Sequence, residues 1–499
     1  MVADDHQHRR RDGGGSMSRP SLVVHGHFYQ PPRLDPFTGT MPRDPTAAPA
    51  HDWNERISAD CYRPNADLGN LGAISWDLGP TLAGWMQDGD RVAYQGFLDG
   101  DRGVNGMAQP FHHAILPLAS AADRWTEIHW GLRDFAFRFG RKATGMWLPE
   151  TAVDRDTLRL LADAGVTYTI LAPWQVDGGP GVDSRRPVRI DLGDGRSIVA
   201  VLYDAGLSTA ISFDPSSTVD ADAFVRERLM PPFAAEVDGD ADPLVVIATD
   251  GELYGHHQPF REQFLARLVG RTAPADRPYA TPTLADAVRA AESRGLPTVA
   301  LRERTSWSCH HGVARWMSDC PCVADGSWKT PLRAAFERLA GGIDTVTADL
   351  AASLPGTPEP WQARYAYVDV VIGASSTEAF IAEVLGARAD PASGRLLIDL
   401  MDAQHWRLAM FASCAWFWEI ADRIETASAL RAAIRAARLI DAISDGDLER
   451  RLLDDLRLVE GETGDGVALA VSALEAVGAA PPDLSRSENP SARGLRATG

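Results

Sequence analysis

Cysteine, basic residues and long apolar runs are all scarce in this sequence of 499 residues. Five cysteines are few for the length and odd in number, which favours a reduced, cytoplasmic protein over a disulfide framework. Lys and Arg total 49 against 68 Asp and Glu, and the resulting net charge of −19 disfavours nucleic acid and anionic lipid as partners. No stretch approaches the roughly 20 apolar residues that span a bilayer, and the N-terminus has no secretory pattern. A neutral ligand such as a sugar fits this composition.

Strand-like and helix-like segments alternate through the first two thirds of the chain. The strand-like segments are, in order, SLVVHGHF, ATGMWLPE, VTYTILAP, RSIVAVLYD and PLVVIATDGE. Helical patterns between them, at 79–87, 126–139 and 154–164, predict a parallel sheet or an α/β barrel. After about residue 350 the strand signals give way to long Ala- and Leu-rich helical patterns. We therefore expect a disordered leader over 1–19, a catalytic barrel over 20–345, a helical C-terminal domain over 346–480 and a disordered tail over 481–499.

Three of the strand-like segments end in residues that can carry out chemistry. They end in His25-Gly26-His27, in Glu150 and in Asp250-Gly251-Glu252. Because strands of a parallel α/β fold present their C-terminal ends at one edge, these side chains are expected to converge there. A fixed, ionised Glu150 suits a nucleophile, and a carboxylate pair such as Asp250 and Glu252 suits an acid that must stay protonated. Taken singly, each acid could equally be a surface or helix-capping residue, and a lone histidine is more often structural.

Aromatic residues crowd the same loops. Tyr29 and Gln30 follow the histidine pair, Trp147 precedes Glu150, and Trp307 lies in a later loop. Aromatic faces stack well against the C–H faces of sugars, so this composition favours a glycan ligand. Ordinary core packing is the competing interpretation, and it explains most aromatic residues in most proteins.

The segment SWSCHHGVARWMSDCPC combines three cysteines with two histidines. Cys309, Cys320 and Cys322 lie close to His311 in the sequence. Such a loop could bind zinc or form a redox pair, but its spacing matches no standard zinc motif. A structural or substrate-lining loop is the favoured interpretation, and no metal site is predicted.

Four motifs, in the same order and with agreeing spacing, resemble those of glycoside hydrolase family 57, the α-amylase and glucanotransferase group. They are HGHFYQPP, PFHHAILPL, IHWGLRDFAFRFGRKATGMWLPETAVD and ATDGELYGH. Three further segments, HDWNERI, ISWDLGPTLAGW and SWSCHHGVARW, are similar to an uncharacterised branch of the family with its own helical C-terminal domain.

The resemblance implies an incomplete (β/α)7 barrel followed by a helical region, and a retaining enzyme that acts on α-linked glucans without a cofactor. Glu150 is the implied nucleophile and Asp250 the implied general acid/base. The implied substrate-binding residues are His25, His27, Tyr29, Gln30, Trp147, Glu252, His256, Trp307 and His311.

Two other functions stay open at this point. His25, His27 and Asp250 could hold a metal ion in a carbohydrate deacetylase or amidohydrolase, although Glu150 would then have no obvious role. A catalytically inactive glycan-binding protein is the other alternative. The sequence alone does not distinguish hydrolysis from transfer.

Overall fold

The computed structural model describes residues 19–235, 243–272, 277–386 and 389–482. The predicted leader, up to residue 18, and the predicted tail, from residue 483, lie outside this part of the chain. Within the described ranges, no helix has the length and apolar character needed to cross a lipid bilayer.

Eight strands form two four-stranded sheets. They are β1 (Ser21–Phe28), β2 (Ser75–Leu78), β3 (Gly106–Met107), β4 (Tyr168–Leu171), β5 (Val188–Gly193), β6 (Arg196–Leu202), β7 (Leu244–Asp250) and β8 (Thr298–Val299). The first sheet has the order β3-β2-β1-β7 and is parallel throughout. The second has the order β4-β6-β5-β8, in which only the β5–β6 pair is antiparallel.

Backbone hydrogen bonds join the two sheets at both ends. Gly145 and Met146 make single parallel bridges to Tyr168 of β4 and to Ala108, just after β3. At the other end, the amide that follows β6 at Asp204 donates to a carbonyl of β7, with a distance of 2.7 Å. Apolar side chains of β1, β4, β6 and β7 fill one buried cluster between the sheets. The predicted parallel α/β class is therefore confirmed.

Eleven helices of the described residues accompany these strands, and several begin at side chains that cap them. They are α1 (Trp53–Ile57), α2 (Arg63–Asp67), α3 (Pro80–Gly89), α4 (Arg91–Gly100), α5 (Ala121–Phe139), α6 (Arg155–Asp163), α7 (Ala205–Phe213), α8 (Ala221–Phe224), α9 (Met230–Ala234), α10 (Arg261–Leu268) and α11 (Leu284–Ser293). The side chain of Asp154 caps α6, and Ser120 caps α5 by accepting from the amide of Asp123. These caps explain why α6 begins where the sequence pattern placed it.

One predicted strand and several predicted boundaries differ from the structure. The segment ATGMWLPE makes only isolated bridges and ends in a short 3-10 turn over Pro149–Thr151. The chain leaves the sheet at this turn, because Glu150 has a non-helical, left-handed backbone conformation. Strands β2, β3, β5 and β8 were not predicted. The short strand β2, SWDL, is fully buried and includes Asp77, so its polar residue hides the apolar pattern by which buried strands are recognised.

The remaining helices form a second layered unit. They are α12 (Lys329–Ala351), α13 (Pro360–Val371), α14 (Thr377–Leu385), α15 (Pro391–Ala409), α16 (Cys414–Phe417), α17 (Ile424–Ile443), α18 (Leu448–Leu456) and α19 (Gly466–Glu475). The predicted boundary at residues 345–346 falls inside α12. Because α12 shares a buried apolar cluster with α15, α17 and α18, it packs as part of the helical region, which therefore begins at about residue 329.

A buried ion-pair network ties the two regions together. The carboxylate of Asp123 on α5 contacts Arg364 Nη1 of α13 at 3.0 Å and Arg407 Nη1 of α15 at 2.7 Å. The indole of Trp130, also on α5, donates to the carbonyl of Arg364 at 3.0 Å. Two buried guanidinium groups thus depend on a single carboxylate for part of their charge compensation.

Asp123→Asn is expected to lower the free energy of unfolding by about 3 kcal/mol, because it leaves Arg364 and Arg407 buried without that negative charge. Chemical denaturation measures the difference. The matched control is Asp349→Asn, an exposed position on α12, which should change stability by less than about 0.5 kcal/mol. Equal stability of the two variants would show that the network contributes little to the packing of the helices on the sheets.

Candidate active site

Strand register brings three polar side chains together at the C-terminal edge of the first sheet. His27 of β1 lies beside Asp77 of β2 and, on its other flank, beside Asp250 of β7. Side chains at paired positions of parallel strands point to the same face. The chain can turn directly after Asp250 because Gly251 has no Cβ, which would lie 2.3 Å from the ring of Phe28.

The carboxylate of Asp77 holds both histidines of the first motif. Its Oδ1 lies 2.9 Å from His25 Nε2, and its Oδ2 lies 2.8 Å from His27 Nδ1. Burial opposes charge on all three groups, but the interactions with the histidines outweigh it and lower the pKa of Asp77 to about 2. Burial likewise lowers the pKa of His27, yet the charge of Asp77, helped by Asp250 and Glu252, raises it to about 9. His27 is therefore cationic at neutral pH.

The cationic imidazole of His27 contacts a neutral imidazole, that of His113. His27 Nε2 lies 3.2 Å from His113 Nε2, and burial together with the charge of His27 lowers the pKa of His113 well below its usual value. A cationic His27 therefore donates to His113, whose Nδ1 lies 2.7 Å from the hydroxyl of Ser413 in the helical region. Tyr29 stacks on His113 with ring centroids 3.8 Å apart. The C-terminal region thus supports one wall of the site.

Glu150 is held in an unusual backbone conformation. Its φ of 56° and ψ of 21° place it in the left-handed region, which costs a residue with a Cβ about 1–2 kcal/mol. Two donors fix its carboxylate: the indole of Trp307 at 3.1 Å and the hydroxyl of Ser308 at 2.7 Å, both on Oε2. The amide of Trp307 also donates to the carbonyl of Glu150, at 3.0 Å. Strain of this kind concentrates at functional sites.

Opposing influences set the pKa of Glu150. Burial raises it, and the negative charge of Asp250 acts in the same direction. The hydrogen bonds from Ser308 and Trp307 and the charge of His27 lower it, and the net shift is upward. Because the charges of Asp250 and His27 both affect the pKa of Glu150, the two predicted catalytic acids lie close enough to interact electrostatically.

The two acids after β7 occupy different surroundings. Asp250 is exposed, whereas Glu252 is buried and accepts a hydrogen bond of 2.6 Å from the hydroxyl of Tyr62. Burial, with the negative charge of Asp250, raises the pKa of Glu252 to about 7 against the opposing effect of Tyr62. Gln30 Nε2 also reaches Glu252, at 3.4 Å. The two acids therefore differ in solvent exposure, with Asp250 accessible and Glu252 enclosed.

Several predicted substrate-binding residues lie beneath the cleft or away from it. His25 and Trp147 are fully buried and stack on each other with centroids 5.0 Å apart, which does not fit direct contact with a substrate. His256 lies at the edge, with Nδ1 3.0 Å from Asp60 Oδ2. His311 does not face the acids: its Nδ1 contacts the sulfurs of Cys322 and Cys320 at 3.3 and 3.4 Å. The structure places the imidazole of His311 against these thiols, and its role in substrate binding stays a prediction.

Four residues of the site were not predicted. They are Tyr62, Asp77, His113 and Ser308. Asp77 and His113 lie within motifs quoted for the family resemblance, so their positions carried a signal that was not used. Ser308 also lies in a quoted segment, SWSCHHGVARW, but its contact with Glu150, like that of Tyr62 with Glu252, spans 158 and 190 residues respectively, which local patterns cannot reveal.

Two acids, Glu150 and Asp250, thus lie near the C-terminal edge of the first sheet, and Glu150 is firmly held in a strained conformation. Residues 102–299, which contain Glu150 and Asp250, match the family model of glycosyl hydrolase family 57. Residues 325–465 match a domain of unknown function, DUF3536. Residues 102–299 therefore carry the domain of glycosyl hydrolase family 57, as the sequence motifs indicated, and a separate domain follows them. No curated protein sequence matches the chain.

Solved structures of family 57 enzymes share the fold. A maltose-forming amylase from Pyrococcus sp. ST04 has a TM-score of 0.71 at 15% identity, over 91% of this chain and 88% of the amylase. A branching enzyme from Pyrococcus horikoshii has a TM-score of 0.60 at 16% identity, over 93% and 98% of the two chains. A 4-alpha-glucanotransferase from Thermococcus litoralis has a TM-score of 0.53 at 15% identity, over 84% of this chain and 60% of the other.

The strain at Glu150 can be measured by comparing two truncations. Glu150→Ala and Glu150→Gly both remove the carboxylate, but only alanine keeps the Cβ that disfavours φ of 56°. We expect Glu150→Gly to be more stable than Glu150→Ala by about 1 kcal/mol in thermal or chemical denaturation. A less stable glycine variant would show that this backbone conformation stores no strain.

Proposed function

We propose that this enzyme cleaves or transfers α-linked glucose units with retention of anomeric configuration, with Glu150 as nucleophile and Asp250 as general acid/base. The observation that carries the proposal is the fixation of the Glu150 carboxylate by Trp307 and Ser308. Asp250 and His27 lie near enough to shift the pKa of this carboxylate. A nucleophilic carboxylate must be ionised and must hold its orientation, and both requirements are served by donors on one oxygen.

The proposed steps use each group in turn. Asp250 protonates the glycosidic oxygen while Glu150 attacks the anomeric carbon, so the leaving sugar departs as an alcohol and a glycosyl ester forms on Glu150. Asp250, now deprotonated, then takes a proton from water or from an acceptor hydroxyl, which displaces Glu150 and restores both acids. The cation at His27 favours the ionised form of Glu150 throughout.

Direct substrate contacts are proposed for the accessible residues of the cleft. Tyr29 and Trp307 are partly exposed beside the acids and offer ring faces for a sugar. Gln30, His25 and Trp147 are proposed to act behind them, by fixing Glu252, Asp77 and the stacked rings. His256 is proposed to lie at the outer rim.

Two observations support the proposal of an α-glucan substrate: the match to the family domain and the enzymes that share the fold. Those enzymes are a maltose-forming amylase, a branching enzyme and a 4-alpha-glucanotransferase. An acidic surface with net charge −19 fits a neutral polysaccharide better than an anionic one. All five cysteines are free thiols, in keeping with the proposed reducing, cytoplasmic location.

The geometry disfavours the alternative metal-dependent deacetylase. His25 Nε2 and His27 Nδ1 are both turned toward the carboxylate of Asp77, so a metal ion could use these nitrogens only if both hydrogen bonds were broken. The site as built therefore suits two carboxylates and a cation.

Replacement of either acid tests the assignment. With maltooligosaccharides as substrates, Glu150→Gln is expected to reduce turnover to background and Asp250→Asn to reduce it by about 10²–10⁴-fold, with products of retained anomeric configuration from the wild type. Glu303→Gln, at an exposed position in an ion pair with Arg155, is the matched control and should keep wild-type activity.

A substrate with a good leaving group separates the two roles. An α-glucosyl fluoride does not need protonation for departure, so Asp250→Asn should form the glycosyl-enzyme from it at near-normal rate while Glu150→Gln should not. If Glu252→Gln shows the acid phenotype instead, the buried acid is the proton donor. Normal turnover of Glu150→Gln, or binding of maltooligosaccharides by the wild type without any product, would contradict the proposal.

The hydrogen bond from Ser308 predicts a shift in pH dependence. Because this bond lowers the pKa of Glu150, Ser308→Ala should raise that pKa, so the acid limb of kcat/KM should move to higher pH by about one unit. Ser308→Thr keeps the hydroxyl and should restore the profile, and Ser327→Ala, exposed on the same loop, should leave it unchanged. An unshifted limb in Ser308→Ala would mean that another group controls it.

A further inference from the structure

A cluster of three thiols and one imidazole lies in the loop that carries Trp307 and Ser308. The sulfurs of Cys309, Cys320 and Cys322 and the nitrogen of His311 all lie within 4.8 Å of one another. Two of these groups, Cys309 and Cys320, are buried, Cys322 is partly exposed and His311 is exposed. The cluster takes no part in the proposed reaction, so its convergence calls for a separate explanation.

Four of the six separations between donor atoms are close to the edges of one tetrahedron, and the other two are at most 4.8 Å. Cys309 Sγ lies 3.6 Å from the sulfurs of both Cys320 and Cys322. His311 Nδ1 lies 3.3 Å from Cys322 Sγ and 3.4 Å from Cys320 Sγ. Around one zinc ion with ordinary bond lengths, two sulfurs are about 3.8 Å apart and a sulfur and an imidazole nitrogen about 3.6 Å. A single ion at the centre therefore fits all four donors with small adjustments.

Other uses of the same residues fit less well. A disulfide needs sulfurs about 2.05 Å apart, and Cys309 is equally distant from two candidates, so a bond would leave one thiol and His311 without a role. An iron–sulfur cluster distributes its ligands over several irons, which requires wider spacing than these donors have. One tetrahedral ion uses every donor.

The surroundings supply the positive charge that such a site needs. Three thiolates and one zinc ion carry a net charge of −1, which must be compensated when partly buried. Lys329, at the start of α12, is fully buried, and its ammonium has no hydrogen-bond partner among the described residues. Burial lowers the pKa of Lys329 to about 8, and Cys320 and Cys309 act on it in the opposite direction. The Arg315 guanidinium also lies close, 3.4 Å from the carbonyl of Cys322.

The cluster is continuous with the contacts that hold Glu150. Ser308, which donates to Glu150, directly precedes Cys309, and the loop returns through Gly312. Gly312 has φ of 80°, and a Cβ there would lie 2.4 Å from the carbonyl oxygen of Arg304. Apart from one short 3-10 turn over Ala314–Trp316, the chain from 303 to 328 has no helix or strand to stabilise it. A bound metal ion would stabilise this loop in place of the helix or strand hydrogen bonds that it lacks.

We propose that Cys309, His311, Cys320 and Cys322 bind one structural zinc ion that fixes the loop presenting Trp307 and Ser308 to the catalytic cleft. With four protein donors the coordination shell is closed, so the ion supplies rigidity and no open position for a substrate or water. Binding requires the three thiols to lose their protons, which is how metal affinity couples to pH and to folding.

Metal content of the full-length protein tests the site independently of activity. Protein purified without chelator is expected to contain one zinc per chain by inductively coupled plasma mass spectrometry. X-ray absorption at the zinc edge should show three sulfur ligands at about 2.3 Å and one nitrogen at about 2.0 Å. Removal of the ion by a chelator should lower Tm, and added zinc should restore it.

Adjacent residues provide matched controls. Cys320→Ser and His311→Ala should lose at least nine tenths of the bound zinc, whereas His310→Ala, next to a ligand, and Cys61→Ala, a buried cysteine elsewhere, should keep it. Wild-type protein without metal, with iron in place of zinc, or with a disulfide among these cysteines would overturn the proposal. So would an absorption spectrum lacking sulfur ligands, a result that does not depend on whether any variant folds, or a Tm unaffected by the chelator.

Discussion

The site depends on the buried carboxylate of Asp77. It accepts from His25 and His27 at once, and this pairing keeps His27 cationic at a position where burial alone would make it neutral. The resulting cation acts to lower the pKa of both Glu150 and Glu252, against the larger effect of burial, which raises both. The buried carboxylate of Asp77 thus influences the charge of two other acids through His27.

Position is maintained by parts of the chain that are distant in sequence. Glu150 and His113 both have positive φ, and each is fixed by a partner from another region. Glu150 is held by the loop that contains the cysteine cluster, and His113 by Ser413 in the helical region. The helical domain therefore does more than cover one side of the sheets. Stability gained in its apolar core and at Asp123 offsets the backbone strain at Glu150 and His113.

The sequence was informative where a local pattern identifies a strand and the site residue lies at the end of that strand. Apolar strands such as β1 and β7 are recognisable from their composition, and His27 and Asp250 lie at their polar ends. Pattern failed where tertiary contacts override it, as in β2, whose buried Asp77 breaks the apolar run, and around Glu150, which leaves the sheet in a turn. The sequence placed His311 near the three cysteines, but its spacing matched no standard motif, and only the folded structure shows that all four donor atoms converge.

The most direct test of the central claim, that Glu150 is the group on which a glycosyl intermediate forms, is to trap that intermediate. A 5-fluoro-α-glucosyl fluoride slows breakdown of the ester more than its formation, so the labelled peptide can be identified by mass spectrometry after proteolysis. The account predicts one sugar per chain, attached to Glu150, with loss of activity in proportion to labelling. Inactivation with the sugar on Asp250 or Glu252, or continued turnover without any covalent label, would contradict it.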